Sequence, residues 1–156
     1  MSNGILGVDP SKVDSSPEFA VGTQATLPGG KVYEYVKATG SITQYHVVAI
    51  DEAGEVAAGY GYDSSAIPVR LGIAQAALTS GKYGWVARKG MGLTVKAITG
   101  STADGKVYTS ATAGAVGSSS STQSLIQGLR LDAANASGST ANTACSAITE
   151  LCSSCA

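Results

Sequence analysis

Residues 71–95, LGIAQAALTSGKYGWVARKGMGLTV, hold the only tryptophan of the chain and its densest sequence of strand and turn signals. Val69, Leu71 and Ile73 alternate with Arg70, Gly72 and Ala74. Beyond the Thr79-Ser80-Gly81 turn signal, Tyr83, Trp85 and Ala87 fall on one face and Lys82, Gly84, Val86 and Arg88 on the other. A break at Lys89-Gly90-Met91-Gly92 then leads into Leu93, Val95 and Ala97 against Thr94, Lys96 and Ile98. Period-two alternation bounded by glycine-containing breaks is the pattern of consecutive antiparallel strands. In a chain poor in aromatics, the rings of Tyr83 and Trp85 are the expected centre of the core.

Working outward, 156 residues suit one compact domain with tails and can bury a real core. A net charge of −1 and a charged fraction of 13% offer no electrostatic means of capturing nucleic acid or an anionic membrane. The solvated surface must be built from Ser, Thr, Gly, Asn and Gln. Abundant small residues together with β-branched apolar ones favour short strands and turns over long helices. The expectation is an all-β fold, a small antiparallel β-barrel or sandwich over residues 23–132. No stretch approaches the roughly 18–20 apolar residues of a membrane span. The first residues, MSNGILGVDPSKVD, lack the basic and apolar regions of a secretory signal, so synthesis in the cytoplasm is expected.

Residues 1–22 scatter Ile5, Leu6, Val8, Val13, Phe19 and Val21 among Gly4, Gly7, Pro10, Pro17 and Gly22. With two prolines and no sustained period, they read as an extended N-terminal arm. The arm is expected to be disordered in the free protein and to dock through those apolar side chains onto a partner. Thr26 to Gly30 signals a turn, and KVYEYVK (31–37) and ITQYHVVAI (42–50) read as strands. Shorter strands are expected at 55–58 and 106–110, and the apolar run 124–131 is expected to close the sheet. Residues 133–156 form a small-residue-rich tail, where Ile148 and Leu151 beside Cys145 and Cys152 have the spacing of a short terminal helix.

No catalytic constellation stands in the sequence. Gly100 to Lys106 has the spacing of a phosphate loop, but Val107 stands where a magnesium-binding hydroxyl belongs and a strand follows in place of a helix. The single histidine, His46, lies in mid-strand with no nucleophile elbow in the chain. It reads, with Tyr45, as a candidate for a subunit contact. Cys145, Cys152 and Cys155 make one C-x-x-C and one further thiol, short of a closed zinc site. Lying outside the expected core, they should be dispensable for folding. Asn135-Ala136-Ser137 fits a glycosylation sequon but carries no weight without a secretory signal. No metal, cofactor or enzymatic activity is expected.

The segment from Gly72 to Val116 resembles bacteriophage head decoration, or cement, proteins. The residues that carry the likeness are the GIAQAAL run, TSGKYGWVARKG, and ADGKVYTSATAGAV leading into a small-residue loop. The resemblance implies a small β-barrel on the outer face of an icosahedral phage capsid, often a homotrimer, with an N-terminal arm against the major capsid protein. On that reading the protein is a structural component of the virion that cements neighbouring capsomers. It needs no cofactor and meets neither nucleic acid nor membrane. The cysteine-bearing tail departs from the family pattern. The alternative is a receptor- or carbohydrate-binding module of a phage fibre or cell surface, with Tyr60 and Tyr62 as its stacking platform.

Overall fold

The computed structural model describes residues 8–57, 70–120, 123–136, 138–139 and 141–154, with 148–154 described by their backbone only. The fold is all-β, as expected, with no helix among the described residues. In chain order the strands are β1 (Val13–Asp14), β2 (Gln24–Leu27), β3 (Lys31–Ala38), β4 (Val47–Ile50), β5 (Glu55–Val56) and β6 (Arg70–Ala74). They continue with β7 (Tyr83–Ala97), β8 (Val107–Thr109), β9 (Val116–Gly117), β10 (Leu125–Leu131) and β11 (Ala141–Ser154).

The decisive element is β7, whose 15 residues are too many for one face of a small barrel. Sequence alternation predicts two strands with a break at residues 89–92. The chain instead runs through as one strand, bent where Gly90 (φ 144°) and Gly92 (φ 63°) take conformations that other residues avoid. Each half of β7 therefore belongs to a different ring of strands. The first half pairs with β3 and β6, and the ring closes through β4, β5 and a parallel contact of β5 with β3 at Lys37–Glu55 and Ala38–Val56. The second half pairs with β11, and a second ring closes through β10, β8 and β9, again by a parallel contact, at Ala97–Val116.

The two rings are one motif used twice. A shift of 59 positions (96 − 37 and 142 − 83) carries the pair Lys37–Tyr83 onto Lys96–Asn142. The same shift carries Val36–Gly84, Tyr35–Trp85 and Glu34–Val86 onto Val95–Thr143, Thr94–Ala144 and Leu93–Cys145. Tyr45 (φ 66°) and Asp104 (φ 58°), the only non-glycine residues with positive φ among those described, are related by that shift too. Their N–H groups donate to equivalent carbonyls, Ala74 O at 2.8 Å and Leu131 O at 3.0 Å. We call residues 31–88 unit one and 90–147 unit two. They differ in β10: five residues lead from Ile126 to Leu131 where two lead from Gly72 to Ala74, and the register of β10 against β11 shifts between Gln127 and Leu129, opposite the run from Ala147 to Cys152.

The main hydrophobic cluster runs through both units, from Tyr33, Tyr35, Leu71, Ile73 and Trp85 to Val95, Val107, Val116, Leu131 and Cys145. A smaller cluster of Val36, Ile42, Val48, Ile50, Val56, Leu78 and Val86 lies within unit one.

Both expected tails are corrected. The chain beyond residue 132 does not end in a helix: β11 runs from Ala141 to Ser154, pairing with β7, then β10, and touching β6 at Cys152–Arg70. Small residues suit it because it is flanked on both edges, and the ladder overrides the weak helical spacing. Residues 8–22 are not free. They form a strap across unit one, with β1 paired to β7 at Val13–Gly84 and Asp14–Tyr83. Apolar side chains alone would leave the ordering cost unmet, but the strap adds backbone bonds (Gly22 N–H to Tyr35 O at 2.8 Å, Tyr35 N–H to Thr23 O at 2.8 Å) and ion pairs.

Candidate functional site

Two places on the molecule concentrate specific contacts, and the first is the seat of the strap. Tyr35 and Trp85, cross-strand partners on β3 and β7, meet with ring centroids 5.0 Å apart. Phe19 of the strap meets both edge-on, at 5.4 Å from Tyr35 and 5.2 Å from Trp85, and Tyr83 stacks on Tyr35 at 6.1 Å. The core role read for Tyr83 and Trp85 is the one they play: Trp85 is buried and Tyr83 packs half-buried against the cluster. The Tyr35 hydroxyl donates to Asp14 Oδ2 at 2.6 Å and accepts from the Glu18 N–H at 3.3 Å. Burial, and then that bond to Asp14, push the Tyr35 phenol up to about 12. Lys12 pairs with Asp14 at 3.2 Å and with Glu18, so the strap carries its own charge network over the ring cluster.

Of the arm residues read as a docking set, Val8 is buried in the main cluster and Phe19 packs against it. Val21 sits over Gly54, where an added Cβ would collide with it. Val13 is 40% exposed, and Ile5 and Leu6 fall outside the described residues. The strap thus places most of its apolar side chains on its own barrel.

The second place is the contact between the two units. The residues that enter β4 bend sharply at Tyr45 and reach across to unit two: Lys96 N–H donates to Tyr45 O at 3.0 Å and Val47 N–H to Gly114 O at 2.8 Å. Between those bonds the His46 ring lies flush on Gly114, which no residue with a side chain could replace. His46 Nε2 is buried without a hydrogen-bond partner, and burial, then the Lys96 charge, hold its pKa below the usual histidine range. Tyr45 and His46, read as subunit-contact candidates, therefore make a contact inside the chain.

A charge cluster that the alternation did not single out lies in unit one. Glu34 is fully buried between Arg88, itself 2% exposed, at 3.2 Å and Arg70 at 2.8 Å, and Arg70 also donates to Asp51 O at 2.7 Å. The signal was available: a lone glutamate in an apolar strand, with an arginine on the strand's expected partner.

Cys145 is buried in β11, contrary to the expectation that all three cysteines lie outside the core. Burial, and then the charge of Asp132, push its thiol up to about 12, which makes it a poor nucleophile near neutral pH. Asn135 of the sequon is buried and spends its amide on Ala97 O (2.9 Å) and Ser139 O (3.1 Å). Tyr60, Tyr62 and Cys155 lie outside the described residues. Among the described residues, no three His, Cys, Asp or Glu side chains come together as a metal site. Residues 104–107 and 125–130 line an open groove of about 390 Å³ beside the short pairing of β8 with β10. No protein-family model matches the chain, and no curated protein matches it.

Proposed function

We propose that the protein is a structural component of a virus particle that binds the outer face of an icosahedral capsid and cements neighbouring capsomers. The observation that carries this reading is the distribution of exposed apolar surface. Among the described residues only Val13 and Met91 are large, apolar and exposed, and Val13 stands on β1, at one end of the sheet order. A short edge strand with an outward valine suits strand addition to a partner's sheet. The nearly neutral surface of Ser, Thr and Gly fits close packing among many copies, and the likeness of residues 72–116 to head decoration proteins points the same way. The partner is then the major capsid protein, and among the described arm residues Val13 is the one left for binding, since Val8, Phe19 and Val21 pack on the barrel.

The test is binding to shells assembled without the protein. Wild type should saturate them at a fixed ratio to the capsid subunit, and Val13→Asp should weaken binding by about 10-fold or more, as expected for a charge buried in an apolar contact. Failure of the wild-type protein to bind any such shell would overturn the reading.

A further inference from the structure

The strand order has two ends, β1 and β2. β1 is two residues long, whereas β2 presents a four-residue edge, Gln24–Leu27. One side of β2 is taken by β3, and the bonds there fix which way each residue of β2 faces. Tyr35 N–H donates to Thr23 O at 2.8 Å, so Thr23 faces β3, and at a period of two so do Ala25 and Leu27, whose register partners are Tyr33 and Lys31. The N–H and C=O of Gln24 and Thr26 therefore point away from β3. Neither residue has a backbone bond outside that ladder among the described residues, and both are exposed. Natural edges of this kind are blunted by a charge, a proline or a bulge. Residues 19–30 carry no charge, Pro28 stands beyond the strand, and the register with β3 runs unbroken from Gln24 to Leu27.

This open edge is complementary to itself. Laid antiparallel about a two-fold axis at Ala25, Gln24 meets Thr26 of a second copy, and Thr26 meets Gln24 of that copy. These are the outward-facing residues, so each pair exchanges both of its backbone bonds and no outward N–H or C=O of β2 is left over. Ala25 falls opposite its own copy in the closely spaced pair that exchanges no bonds, where a small side chain suits the short separation. On the solvent face, the Gln24 amide lies beside the Thr26 hydroxyl of the second copy. On the other face, Ala25 and Leu27, half-buried against the main cluster, gain the cover of a further strand. The neighbouring registers fail. An axis at Thr26 sets Gln24 against Pro28, which has no N–H, and an axis at Gln24 sets Thr26 against Gly22, whose N–H is spent on Tyr35 O at 2.8 Å.

We propose that β2 is a self-association edge, which pairs antiparallel with β2 of a second copy of this chain about a two-fold axis at Ala25, so that the sheet of one molecule runs on into the other. Both copies use the same patch, so assembly through it stops at the dimer. The pairing stands whether or not the protein binds a capsid.

The test is sedimentation equilibrium of the full chain. A contact one strand wide is small, so wild type should form dimers with a dissociation constant on the order of 0.1–1 mM. Thr26→Pro removes an outward N–H and spares the ladder with β3, so Trp85 fluorescence should stay that of wild type. Its dimers should be weaker by about 10-fold or more, because the two-fold axis removes that bond twice. Gln24→Lys with Thr26→Lys sets like charges across the axis and should weaken dimers to a similar degree; it serves if the proline variant does not fold. Gln24→Glu with Thr26→Lys sets opposite charges across the same axis and should associate about 10-fold or more tightly than the double-lysine variant at low salt. A wild-type protein that stays monomeric at millimolar concentration overturns the proposal. So does a folded Thr26→Pro variant that associates like wild type, or a double-lysine variant that associates as tightly as the one with opposite charges.

Discussion

At the register positions that the 59-residue shift makes equivalent, unit one places Tyr35, Trp85, Glu34 and Val86, and unit two places Thr94, Ala144, Leu93 and Cys145. The strand order, the parallel closure and the positive-φ bend are the same, so they cannot depend on what fills the ring. They follow from the placement of turns and glycines, which fix where each strand may pair. Content decides what each unit can hold. Unit one, with aromatic rings and a buried ion pair, grips a strap. Unit two, filled with Val, Leu, Ala and Cys, leaves a groove and an exposed loop.

The sharpest way to break this comparison is to give unit one the interior of unit two. Glu34→Leu alone leaves Arg88 buried beside an apolar side chain and should cost about 3–5 kcal/mol, the usual result of removing one member of a buried pair. Adding Arg88→Met removes that buried charge. The double variant, measured by urea unfolding, should be more stable than the Glu34→Leu single. If it is less stable, the pair specifies the fold of unit one and the two interiors are not interchangeable.

The strap should yield next. Asp14 is 6% exposed and accepts a short bond from Tyr35, so Asp14→Ala should cost about 1.5–3 kcal/mol, the range for a hydrogen bond to a charged group. Loss of the latch should also make Trp85 easier to quench in the native protein, because Phe19 covers it. Unchanged quenching would show that the strap is held by β1 pairing and Val8 alone.

Much of unit one was legible in the sequence. Alternation in KVYEYVK and around Trp85 gives strands at the right places, because a half-buried sheet writes its faces at period two, although it divides β7 in two at residues 89–92. The duplication was not seen, although Val36-Lys37-Ala38-Thr39-Gly40 and Val95-Lys96-Ala97-Ile98-Thr99-Gly100 carry its trace. Repeats of this kind preserve backbone geometry, and equivalences such as Trp85 with Ala144 erase the likeness in side chains. The strap reads as a free arm in the sequence because what fixes it, backbone bonds to β3 and β7, leaves no mark on its side chains. The strand β11 was missed because small residues carry little preference of their own, and what makes them a strand is a ladder on both edges. Tyr45 and His46, read as candidates for a subunit contact, meet the second unit of the same chain.

Cys145 offers a probe of unit two that Trp85 offers of unit one. With Cys152 and Cys155 replaced by Ser, alkylation of the remaining thiol requires unit two to open, since the group is buried and its pKa lies at about 12. Labelling near neutral pH should be slow in the native protein, and Cys145→Ser should cost about 1–3 kcal/mol by placing a more polar group in an apolar site. The opening free energy read by the thiol should be lower than that of global unfolding read by Trp85, because unit two lacks the aromatic mass of unit one. Equal values would mean that the two rings unfold as one.

The smallest effect expected is at the joint between the units, where His46 lies on Gly114 with a buried, unpartnered Nε2. Lys96 is the ionised group that acts on it, and the facing residues Thr112, Ala113, Gly114 and Ala115 carry no charge. Its folded pKa is lowered, so the folded state binds this proton less readily than the unfolded state, in which histidine titrates near about 6.5. Where the unfolded state binds more protons, stability rises with pH. The contribution of His46 is therefore complete above about pH 6.5 and is lost progressively as the pH falls through the unfolded value toward the folded one. Unfolding by urea at pH 7.5 and at pH 5 should show a steeper loss for wild type than for His46→Phe, which fills the same place without titrating. Part of that loss should appear as faster labelling of Cys145, because protonation loosens the bond between Val47 N–H and Gly114 O that ties unit two to unit one. If wild type and His46→Phe fall in parallel between those pH values, the ring of His46 is a spacer at the joint and its nitrogen plays no part in holding the units together.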